Sequence, residues 1–121
     1  MSYQKSFVDV GNKYWNEFKT KLSLTESVND TKKLFSITIS QIFSEVESEL
    51  KVSYSEFESD FTLTEKGYSV SKKISENDLY KGLIIISDIS SIIDRFAKAC
   101  ADRITHQAKA SKEENTKKII H

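Results

Sequence analysis

His106, Cys100 and the pair Glu45 and Glu49 are the side chains whose types and spacing first suggest chemistry. A metal centre in a helical bundle needs carboxylate and imidazole on one face, which a Glu three residues ahead of a His supplies. No Glu stands three before either histidine, and there is no His-Glu-x-x-His, no cysteine pair and no acidic loop with calcium spacing. Glu45 and Glu49, four apart, lie beside an apolar stripe and read as solvated charges. No metal and no cofactor is expected. With three glycines, neither a phosphate-cradling loop nor a Gly-x-Ser-x-Gly elbow can be assembled. A thiol acts as a nucleophile only where a base lies near and the thiolate is favoured. Cys100 instead falls among Ile93, Ala97 and Ile104 at helical spacing, as a small core residue does. No residue is assigned a catalytic role on these grounds, and no small-molecule substrate is evident.

One local pattern is more pointed. His106-Gln107-Ala108-Lys109-Ala110 resembles the His-x-x-Lys-Gly signature of histidine phosphotransfer domains, a family of helical bundles near this length. The resemblance implies a phosphoacceptor role for His106. Lys109, one turn later on the same helix face, would offset the phosphoryl charge. Ala110 stands where the signature has glycine, and the match covers these five positions alone.

The elements that must position these residues are helical. The chain has no proline and three glycines, the pattern of long helices rather than of turn-rich β folds. Tyr3, Phe7, Val10, Tyr14, Phe18 and Leu22 recur once per turn, and Trp15 widens the stripe, so a first helix is expected over 3–22. Gly11 lies on that stripe, where it can admit another backbone closely. After a connection at 23–29, Val28, Phe35, Ile39, Ile42, Phe43, Val46 and Leu50 share one face. Tyr54, Phe57 and Phe61 continue it, which predicts a second helix reaching about Phe61. Leu34, Ile37 and Val52 fall on another side and are the candidate protein-interaction residues. The stretch 61–74 alternates apolar and hydroxyl residues around Glu65-Lys66-Gly67. It can be a β-hairpin with Gly67 supplying the positive φ, or a helix end with Gly67 as the left-handed cap and an extended linker. The linker is preferred. Ser75-Glu76-Asn77-Asp78 suits a helix start, and the apolar residues from Leu79 to Ile104 fill a wide sector of a third helix.

The fold class expected is therefore all-α: an antiparallel bundle of three long helices, or four if the second breaks near Val52. A short hairpin at 61–72 is the main alternative element. Residues 1–110 form a single helical domain, and 111–121 a basic C-terminal tail that frays.

A formal net charge of zero removes bulk attraction to nucleic acid or anionic lipid. The basic tail has no interleaved aromatics, so specific nucleic-acid reading is not expected. Charge is unevenly placed, however: Glu45, Glu47, Glu49, Glu56, Glu58 and Asp60 make an acidic middle, and Lys109, Lys112, Lys117 and Lys118 a basic end. The longest apolar run, Leu83 to Ile86, is too short to cross a bilayer, and Met1 to Val10 does not resemble a signal peptide. A cytoplasmic location follows as the expectation. By elimination the expected function is non-enzymatic: a protein–protein interaction module such as an adaptor, assembly chaperone, immunity-type inhibitor or small complex subunit. A protein partner is implied, with a homodimer expected ahead of a monomer. Signalling by phosphoryl transfer through His106 is the alternative.

Overall fold

The element order is α1 (Val8–Ser23), α2 (Val28–Val46), β1 (Phe61–Thr64), β2 (Gly67–Val70), α3 (Lys72–Ser75), α4 (Asp78–Ile86) and α5 (Ile89–Ile120). This computed structural model describes residues 5–54 and 59–120, the side chains from 110 onward excepted. The described residues are mostly helical, with one antiparallel two-stranded sheet among them.

α1 and α5 run in the same direction. Their starts meet where the Phe7 N–H and the Ser6 hydroxyl donate to Asp88, at 2.8 and 2.7 Å, and the end of α1 meets the middle of α5, where Arg103 reaches the carbonyls of Ser23 and Thr25. α2 runs against both. Gly11 makes the α1–α5 approach possible: a Cβ there would stand 3.0 Å from the Ile92 Cγ2. Trp15 and Phe18 of α1 pack on Phe96 of α5, with Trp15 edge-on at 5.2 Å and Phe18 at 4.7 Å. The Arg95 guanidinium covers the Trp15 ring at 3.9 Å.

The hairpin lies over α2 and α5. Phe61 pairs with Val70 and Leu63 with Tyr68, so Phe61 and Leu63 turn inward while Thr62 and Thr64 face out. Phe61 stacks on Phe43 at 5.1 Å, and its carbonyl accepts from the Ser36 hydroxyl of α2 at 2.6 Å. A hairpin of this size is marginal alone, and its stability comes from this packing. Glu65 and Lys66 form the turn without positive φ; Gly67, at φ 144°, takes the strained position, where a side chain would be disfavoured though space is open.

Several expectations are corrected. α1 begins at Val8, because Lys5 is extended and pairs in parallel with Ser87, its N–H donating to the Ile86 carbonyl. Tyr3 and Phe57 lie outside the described residues. α2 ends at Val46 rather than near Phe61. Glu45 and Glu47 sit at the negative end of the helix, whose own last turn carries no basic residue. Leu50 still reaches the core, 2% exposed, but from a turn in which its N–H bonds the Glu47 carbonyl. The hairpin forms where an extended linker was preferred. The single third helix is two, α4 and α5, with the short α3 ahead of them, so in place of three long rods the described residues form five helices and a hairpin. Ser71 caps α3, and within the expected helix start at 75–78 it is Asn77 that caps α4, by accepting from the Leu79 N–H at 2.8 Å. The α4–α5 break falls at fully buried Ser87, whose hydroxyl donates to the Leu83 carbonyl and accepts from the Ile89 N–H. α5 continues as helix to Ile120, across the boundary expected at 110.

Candidate interaction surface

An apolar-lined cleft of roughly 400 Å³ lies where three elements meet. The first turns of α2 contribute Val28 and Lys32, the hairpin tip Leu63, Thr64 and Glu65, and α5 contributes Ala101, Ile104 and Thr105. Each is placed for a local reason. Ser27 caps α2 by accepting from the Asp30 N–H at 3.1 Å, which starts the helix at Val28. The strand alternation sends Leu63 inward, 5% exposed. The hairpin then turns back at Glu65, leaving Val28 36% exposed and Ile104 half-buried. Lys32 and Glu65 set opposite charges on the rim.

The α1–α2 connection that delivers Val28 is held by a polar clasp. Arg103 donates to the Thr25 carbonyl at 2.6 Å and to the Thr25 hydroxyl at 3.3 Å. The Gln107 amide donates to the same carbonyl at 3.2 Å. Thr31, fully buried, donates its hydroxyl within reach of Thr25 Oγ1 at 3.0 Å. Sequence reasoning missed these residues. The signal was faint: Arg103 and Gln107 are polar, four apart, and flank the apolar positions Cys100 and Ile104 on the same helix.

A second cleft, of roughly 300 Å³, is polar and lined by Asn29, Lys32, Lys33, Ser36, Tyr54, Ser59 and Thr62. Lys32 borders both clefts.

The residues singled out from sequence are scattered. His106 and Lys109 are both exposed on α5. Cys100 is fully buried, and burial pushes its thiol up to about 12, which keeps it protonated and inert at neutral pH. Ile37 is exposed at 38% on α2. Leu34 is half-buried against the core, as is Val52, which lies beyond α2 in the connection to β1. Of that trio, Ile37 alone is exposed. Glu45, expected as a free charge, pairs with Lys13 of α1, raising the lysine's affinity for its proton through that hydrogen bond and charge. Other large apolar side chains face solvent, notably Ile85 at 77% and Leu24 at 73%.

Among the described residues, no three His, Cys, Asp or Glu side chains converge on a common point. No helix among them is long and apolar enough to cross a membrane. Comparison with protein-family models, with curated proteins and with solved structures gives no match, so the geometry above stands as the basis for a functional reading.

Proposed function

We propose that the chain is a non-enzymatic protein–protein interaction module, of the adaptor, assembly-chaperone, immunity-inhibitor or small-subunit kind. The observation that carries this reading is the cleft lined by Val28, Leu63, Ala101 and Ile104. Its apolar floor suits a large apolar side chain from a partner. The opposite charges of Lys32 and Glu65 suit a partner carrying a carboxylate on one side of that anchor and a cation on the other. A second copy of the chain is the first partner to test. Light scattering and co-purification are expected to give a dimer or a stoichiometric partner complex. Val28→Asp, which places a charge at the cleft mouth, is expected to weaken it at least about tenfold, near 1.4 kcal/mol. Ile37→Asp, on the outer face of α2, separates the two candidate surfaces: if it alone weakens assembly, the cleft is the wrong one. A strictly monomeric chain that brings down no partner and ignores both changes would end the interaction reading.

Phosphoryl transfer through His106 is the second reading, favoured by the shared exposure of His106 and Lys109 on α5. Incubation with a phosphorylated receiver domain should then leave an acid-labile label that His106→Ala abolishes. No label, or one that survives the substitution, would exclude it.

A further inference from the structure

We draw no further inference here: the strongest candidate, the polar cleft of Asn29, Lys32, Ser36, Tyr54 and Thr62 between α2 and the start of the hairpin, borders residues outside the described ones, and nothing in the structure shows what would occupy it.

Discussion

Phe61→Ala is expected to destabilise the fold by about 3–5 kcal/mol, a large share of the roughly 5–15 kcal/mol that holds a domain folded. Phe61 is 1% exposed and joins the hairpin to the helices. Its ring stacks on Phe43 and lies 6.1 Å from both Tyr68 and Tyr80. Truncation therefore empties a site walled by three other rings, on α2, β2 and α4. Aromatic walls anchored on different elements cannot all close in, so most of the cavity persists and its cost adds to the lost transfer energy. Urea unfolding should show a lower midpoint with an unchanged slope. A loss below about 1 kcal/mol would mean that Phe61 is not packed at this junction.

Asp60→Ala is expected to cost about 2–4 kcal/mol at neutral pH, because it orphans donors inside the fold. The Asp60 side chain is 4% exposed. It accepts from the Ser53 N–H at 2.6 Å and from the Ser71 hydroxyl at 2.7 Å, with the Lys73 ammonium 3.4 Å away. These bonds tie the connection after α2, the start of β1 and the cap of α3 to one carboxylate. Burial is the strongest single influence on its proton affinity and pushes it up. The Ser53 and Ser71 hydrogen bonds and the Lys73 charge together outweigh burial and hold it below the ordinary carboxylate value. A carboxyl that is more acidic folded than unfolded stabilises the fold above its unfolded pKa of 3.8 and loses that contribution as pH falls through the folded value. The stability gap between the natural chain and Asp60→Ala should therefore be constant from neutral pH to about 5 and shrink in more acid solution. A gap independent of pH would show that Asp60 is not held ionised by these partners.

The helical stripes on α1 and in the first four turns of α2 were legible in the sequence, because each residue type agrees there with a single period. Gly11 was legible for the same reason. The end of α2 was not. Leu50, Tyr54 and Phe61 keep helical spacing beyond Val46, yet the structure brings Leu50 and Phe61 to the core from a turn and a strand. Spacing alone cannot distinguish these outcomes. In the structure, the Asp60 network, made of hydrogen bonds from Ser53 and Ser71, holds the connection after α2 in its non-helical course. The α4–α5 break was hidden similarly, since the apolar sector from Leu83 to Cys100 is nearly continuous, and the interruption is marked by the turned-in Ser87 hydroxyl and the Lys5 pairing, which depend on the tertiary fold.

The candidate surface was legible in part. Exposure of His106 and Lys109 follows from their place on the polar side of a helix. The cleft itself requires Val28, Leu63 and Ile104 to meet, and their meeting depends on a hairpin whose existence the sequence left open. The clasp from Arg103 and Gln107 to Thr25 spans most of the chain and has no local signature.

The hairpin's return onto α2 and α5 therefore underlies the core, the Asp60 network and the cleft alike. Nuclear Overhauser contacts across residues 61–70 test it most directly. The account predicts cross-strand contacts linking Thr62 with Ser69 and Leu63 with Tyr68, and ring contacts between Phe61 and Phe43. Sequential helical contacts running unbroken from Val46 through Phe61, with none between the two strands, would contradict it.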